Sequence, residues 1–179
     1  MPLKVIIGGM FSGKTTELQR VLRRYRQIDE KILVVKHQSD TRYDNGDTLT
    51  SHNDETETCI SVSHLMALAE EPSYESSYAV FIDEGQFFPD LLEFIKLASM
   101  KDSKYVYVAG LDATYEQKPF GQMLDIIPYA EKVQKLASIC SKCKKPAGCS
   151  KRISDINGDI LIGGKESYVA ICAKCLHSS

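Results

Sequence analysis

The stretch that most restricts the fold is residues 3–26, where an apolar run, LKVIIG, meets GMFSGKTT and then a segment of helical period. Leu18, Val21, Leu22 and Tyr25 recur at i, i+3, i+4 and i+7, with Arg20, Arg23 and Arg24 outside the stripe. This is a strand, a glycine turn and an amphipathic helix, and both elements need apolar cover from a layered α/β structure. Gly8, Gly13, Lys14 and Thr15 also satisfy G-x-x-x-x-G-K-[ST]. In that pattern the glycines let the backbone curl, so that its N–H groups point at phosphate oxygens in front of a helix N-terminus. The candidate phosphate-binding residues are therefore Gly8, Gly9, Met10, Phe11, Ser12, Gly13, Lys14, Thr15 and Thr16. Lys14 would reach the β- and γ-phosphates of ATP, and Thr15 would place its hydroxyl on Mg²⁺.

Further β-branched runs follow at 31–37 (KILVVKH), 78–84 (YAVFIDE), 104–111 (KYVYVAGL) and, more weakly, 131–137 (EKVQKLA). Residues 89–100 fit a second helix, with Leu91, Ile95 and Ala98 on one face and Pro89 suited to its first turn. The segment 41–53, TRYDNGDTLTSHN, carries an Asn-Gly turn signal and reads as a hairpin or mobile loop. Strands apolar on both faces that alternate with helices imply a P-loop (RecA-like), mainly parallel sheet flanked by helices, over residues 1–138. From Ile139 the helical period stops, and cysteines and turn-formers take over, so residues 139–179 read as a separate small unit.

At 179 residues the chain can bury one full core and carry such an appendage. Lys+Arg 22 against Asp+Glu 24 leaves a net charge of -2, which points to a small ligand and away from nucleic acid as a partner. No window approaches a membrane span, and the N-terminus lacks the layout of a secretion signal. A cytoplasmic, reducing location follows as an expectation.

In FIDEGQFFPD, Asp83 fits the carboxylate that holds the Mg²⁺ shell beside a P-loop, and Glu84 fits a general base on the attacking oxygen. Phe87 offers a planar ring a surface, whereas Phe88 suits the core. Cys140-x-x-Cys143 and Cys172-x-x-Cys175, separated by 28 residues, match a structural Cys₄ zinc ribbon. Cys59 and Cys149 are expected to be ordinary thiols, and His177 is an unneeded substitute ligand. A metal there would tether the glycine-rich stretch between the pairs as a loop able to fold over a ligand, with Tyr168 to cover a ring.

The series "GGMFSGKTTEL", "DTRY", "IDEGQFFPD", "LDATYEQKPFG", C-x-x-C, "LIGGKESY", C-x-x-C resembles the type II thymidine kinases from about Lys4 to Cys175. The resemblance implies transfer of the ATP γ-phosphate to the 5′-hydroxyl of thymidine, in deoxynucleoside salvage, with Glu84 as catalytic base. It implies Asp40, Thr41 and Arg42 as a phosphate-side loop, and Asp83 to Gln86 as the Mg²⁺/ATP side of the strand end. Met10, Phe87, Leu111, Tyr115, Phe120 and Tyr168 correspond to the thymine pocket. The stretch Asp159, Ile160, Leu161, Ile162 and Gly163 corresponds to a lasso loop that bonds the base by main chain. A homotetramer, feedback inhibition by dTTP and a structural Zn²⁺ are further expectations.

This chain departs from the family at Gly9, where Pro is usual, which is expected to loosen the loop, and at Tyr115, where Phe is common. Two rival classes remain at this stage. A mechanical P-loop ATPase would also use an Asp-Glu pair, and a zinc-ribbon nucleic-acid-binding protein would use Lys142, Lys144, Lys145, Lys151 and Arg152.

Overall fold

The computed structural model describes residues 2–39, 48–50, 56–153 and 167–178. Strand β1 (Leu3–Gly8) runs through the glycine loop into α1 (Lys14–Arg26) and returns as β2 (Ile32–His37). An antiparallel pair, β3 (Thr48–Thr50) and β4 (Thr56–Thr58), precedes β5 (Ile60–Val62). Helix α2 (Pro72–Glu75) leads to β6 (Ala79–Ile82), α3 (Leu91–Ile95), β7 (Tyr105–Gly110) and β8 (Lys132–Leu136). The chain ends in β9 (Ser138–Ile139), β10 (Pro146–Ala147), β11 (Cys149–Arg152), β12 (Tyr168–Ile171) and α4 (Ala173–His177).

The main sheet has 6 strands in the order β5-β2-β6-β7-β1-β8, and every neighbouring pair is parallel. All five strand-like runs in the sequence lie in it. The three-residue edge strand β5 was not legible. The run expected at 78–84 ends as a strand at Ile82, which leaves Asp83 and Glu84 just past the sheet. Of the segment 41–53, expected to form a hairpin or mobile loop, Thr48–Thr50 pairs antiparallel with Thr56–Thr58, while the Asn45-Gly46 turn signal lies outside the described residues.

Period-two alternation explains why both faces of this sheet are apolar. Leu3, Val5, Ile7, Leu33, Val35, Val80, Ile82, Val106 and Val108 face Leu91, Phe94, Ile95 and Ala98. Their neighbours Ile6, Val34, Phe81, Tyr107 and Ala109 pack on Leu18 and Leu22 of α1. Burying each Leu or Phe contributes about 1.5–3 kcal/mol. The expected helix at 89–100 is present, but its second half, Lys96–Lys101, is a π-helix closed by the Asp102 N–H on the Leu97 carbonyl at 2.9 Å.

The C-terminal unit is built differently. Its core is Cys140, Ala147, Ala170 and Ile171, with Phe11, Cys149, Cys172, Cys175 and Leu176 packed against it. So small a cluster needs a covalent or metal staple to hold two short ribbons. Among the described residues, no helix is long and apolar enough to cross a membrane.

Candidate active site

The glycine loop lies at the carboxyl end of β1, and β7 separates β1 from β6. Gly13 begins α1 at φ 82°, a left-handed conformation that costs a glycine least. Across β7, the Thr15 hydroxyl donates to Asp83 Oδ2 at 2.8 Å, so the two oxygens expected to share a cation are brought together. Hard oxygen donors of this kind suit Mg²⁺. Lys14 is buried and donates to the Gly9 carbonyl at 2.9 Å, as does the Ser12 hydroxyl. The loop is thus already curled, with its ammonium inside the curl.

Glu84 follows with φ 53° and ψ 40°, a left-handed backbone that a side chain rarely adopts. Such strain concentrates where geometry matters more than stability. Gln86 holds its carboxylate: Nε2 donates to Glu84 Oε2 at 2.5 Å, while Oε1 accepts the Leu111 N–H at 2.9 Å. One buried amide therefore links the expected base, just past β6, to the segment that leaves β7.

That segment folds back on itself. Thr114 N–H donates to the Lys118 carbonyl at 2.9 Å, and Ala113 bridges Pro119. Buried Asp112 accepts an ion pair from Lys135 of β8 at 2.7 Å. The fold-back presents Tyr115 and Phe120 toward Phe87, whose ring meets Phe120 edge-on at 5.6 Å. Phe87, Tyr115 and Phe120 line one cavity of about 520 Å³, with Gln86 and Pro119 also on its wall. Phe88 is buried in the core.

The other expected pocket residues, Met10, Leu111 and Tyr168, are not among those that line this cavity, but each is tied to a neighbouring part of the site. Met10 donates its N–H to Ser150 Oγ at 2.9 Å. Leu111 is held by Gln86, and Tyr168 pairs in register with Arg152, whose guanidinium lies 5.3 Å above the Tyr115 ring. Asp40, Thr41, Arg42, Asp159, Ile160, Leu161, Ile162 and Gly163 lie outside the described residues.

The sulfurs of Cys140, Cys143, Cys172 and Cys175 lie within 4.8 Å of one another, and those of Cys143 and Cys172 are 3.6 Å apart. Tetrahedral zinc thiolates place sulfurs about 3.8 Å apart, so the four side chains fit such an ion. Their closeness also shapes their protonation. Backbone N–H groups of Cys143 and Cys172 pull Cys140 down to about 6, while contacts with the Cys172 and Cys143 sulfurs push Cys175 up to about 12. Four thiolates this close need a cation to offset their repulsion. Cys59 lies in the main core and Cys149 beside the small one, neither belonging to the four-sulfur cluster.

A thymidine kinase profile matches residues 1–176. The chain belongs to the thymidine kinase family. It is 40% identical over 173 residues to the thymidine kinases of vaccinia virus (strain Western Reserve) and monkeypox virus, covering 97% of this chain and 95% of each relative. The raccoon poxvirus thymidine kinase is 39% identical over the same span. Membership makes the chain a kinase that uses ATP and a divalent metal, and rules against a zinc-ribbon nucleic-acid binder or a mechanical ATPase.

In this thymidine kinase family member, sequence reasoning overlooked Asp112 and Ser150, and placed Arg152 only in a basic cluster of a rival reading. Asp112 stands inside the quoted LDATY segment, but an aspartate after a strand reads as a turn residue. Ser150 and Arg152 alternate on one short strand, the only trace that a single face of β11 meets the site.

Proposed function

We propose that the protein transfers the γ-phosphate of ATP to the 5′-hydroxyl of thymidine with Mg²⁺, giving dTMP for deoxynucleoside salvage. The observation that carries the reading is the position of Glu84. It is flanked by Asp83, bonded to Thr15 of the phosphate loop, and by Gln86, which lines the aromatic cavity. A carboxylate between a phosphate site and a ring-sized pocket is placed to serve an acceptor hydroxyl, not bulk water.

Thr15 and Asp83 would hold the Mg²⁺, which when bound offsets charge on the phosphate oxygens. Backbone N–H groups of residues 8–16 receive the phosphates, and Lys14 supplies the point charge. Glu84 aligns the 5′-oxygen and accepts its proton as the phosphoryl group arrives. Phosphoryl transfer has a loose transition state, so alignment and charge cover contribute more than proton removal. Phe87, Tyr115 and Phe120 stack on the base, with Met10, Leu111 and Tyr168 at its rim. Asp40 to Arg42 and the main chain of 159–163 complete the two ends of the site on the family pattern.

The same reading takes residues 1–138 as the nucleotide-binding domain and 139–179 as a zinc ribbon carrying the lasso. It extends to Zn²⁺ on the four cysteines, a cytoplasmic homotetramer and inhibition by dTTP, each supported by the family resemblance. The test is detection of thymidine 5′-phosphate from ATP and thymidine, with deoxycytidine and hydrolysis run in parallel. Product from thymidine alone upholds the proposal. Phosphate released to water regardless of nucleoside would sink it.

A further inference from the structure

Three consecutive residues at the tip of the phosphate loop are held from the cysteine unit. Gly9 lies so close to β11 that a Cβ there would sit 3.2 Å from Ser150 Oγ and 3.3 Å from the Gly148 carbonyl oxygen. Glycine at this position thus serves close approach, where the sequence suggested a looser loop. The Met10 N–H donates to Ser150 Oγ in a buried bond that joins residues 140 positions apart. Phe11, at φ 62°, packs against the cluster of Cys140, Ala147, Ala170 and Ile171. Two residues along β11, Arg152 covers Tyr115. One face of a four-residue strand therefore touches both the phosphate loop and the nucleoside pocket.

The position of β11 is in turn set beside the metal ligands. Among the described residues it pairs only with β12, and Cys149 stands opposite Ile171, the residue before Cys172. The Cys140 N–H and carbonyl both bond within the turn that reaches Lys145, at 2.8 and 3.0 Å, which fixes the other cysteine pair. A metal held by the four sulfurs, which lie within 4.8 Å of one another, would tie these two segments together and anchor this register.

We infer that Ser150 is a positioning residue for phosphoryl transfer, and that zinc loading of the cysteine cluster and ATP binding at the loop are linked through it. This rests on the reading of the two sites given above. The Ser150 hydroxyl can accept from Met10 only while β11 keeps its register, and a buried N–H left without its acceptor disfavours the curled loop. Linkage is reciprocal: if zinc favours the loop that binds ATP, ATP must retain zinc by the same factor.

The experiment follows zinc release from the full-length protein to a chromophoric chelator, with and without ATP and Mg²⁺, alongside calorimetric ATP binding. Wild-type protein lacking one bound zinc, or failing to bind ATP, would overturn the site readings and this inference with them. With both bound, ATP is expected to slow zinc release about tenfold in wild type and Ser150→Thr, but less than about twofold in Ser150→Ala. Ser150→Ala should also bind ATP about tenfold more weakly while keeping one zinc. Rescue by threonine separates the lost bond from a lost fold. Zinc release indifferent to ATP in the wild type, or wild-type ATP affinity in Ser150→Ala, overturns the linkage.

Discussion

The phosphate loop and the cysteine unit meet at Met10 and Ser150, yet they keep their shapes by opposite means. The loop is anchored between β1, paired on both sides in a parallel sheet, and α1, whose Leu18 and Leu22 are fully buried. The cysteine unit has two-stranded ribbons and a core of four small or medium side chains, with Ile139 and Ile153 exposed. One is stabilised by apolar area; the other has little of it and would depend on the metal proposed for its four cysteines. Where a rigid and a conditional part share a site, the conditional part is the natural place to regulate it.

Stripping the metal is the most severe test of this contrast. Zinc sites in small domains contribute on the order of 10 kcal/mol, so chelation under reducing conditions should open residues 139–178 to protease while 3–136 remain resistant. Simultaneous digestion of the sheet would erase the distinction. Glu84→Gln comes next, with kcat falling about 10²- to 10⁴-fold and ATP affinity within about twofold, measured by steady-state kinetics and calorimetry. A wild-type turnover would remove Glu84 from the mechanism.

Phe94→Ala, in the fully buried core under the sheet, should cost about 3–5 kcal/mol in denaturant unfolding and leave zinc content unchanged. Loss of zinc in that variant would mean that the two parts fold as one. Arg152→Ala removes the cation over Tyr115 and is expected to raise the thymidine KM about 3- to 30-fold, with the zinc stoichiometry unaltered. The smallest effect is on the outer face of α1. Arg20 pairs with Glu17 at 2.7 Å, and this hydrogen bond holds the Glu17 carboxyl below its ordinary value. Its contribution is present above the ordinary carboxylate range and fades as pH falls through the lowered value. Glu17→Gln should move the melting temperature at neutral pH by no more than about 1–2 °C, because an exposed pair is screened.

Much of the sheet was legible because LKVIIG, ILVVKH, AVFI and YVYVAG are apolar on both faces, and buried parallel strands have no other requirement. Ile60–Val62 escaped notice because three residues at an edge carry no period. The pairing of Thr48 with Thr58 was not legible either, because its partner strand lies beyond the segment that carried the Asn-Gly signal. At the site, Lys14, Thr15 and Asp83 were readable because phosphate and metal chemistry impose fixed spacing. Gln86 was placed on the ATP side by resemblance, but its amide spans Glu84 and Leu111, a bridge that requires knowing that β6 and β7 are neighbours. Ser150 was invisible for the same reason at greater range: a serine is informative only when its partner, here Met10, is known.

The parallel order β7-β1-β8 also has a consequence during synthesis. β1 leaves the ribosome before either of its neighbours, residues 105–110 and 132–136, and before residue 150, the acceptor for Met10. At bacterial or eukaryotic translation rates that interval lasts on the order of ten seconds, during which the loop's strand has no partner on either edge. The nucleotide site is thus begun well before it can be completed, and a chain that stops short of β7 presents an unpaired apolar strand to chaperones instead of a partly working kinase.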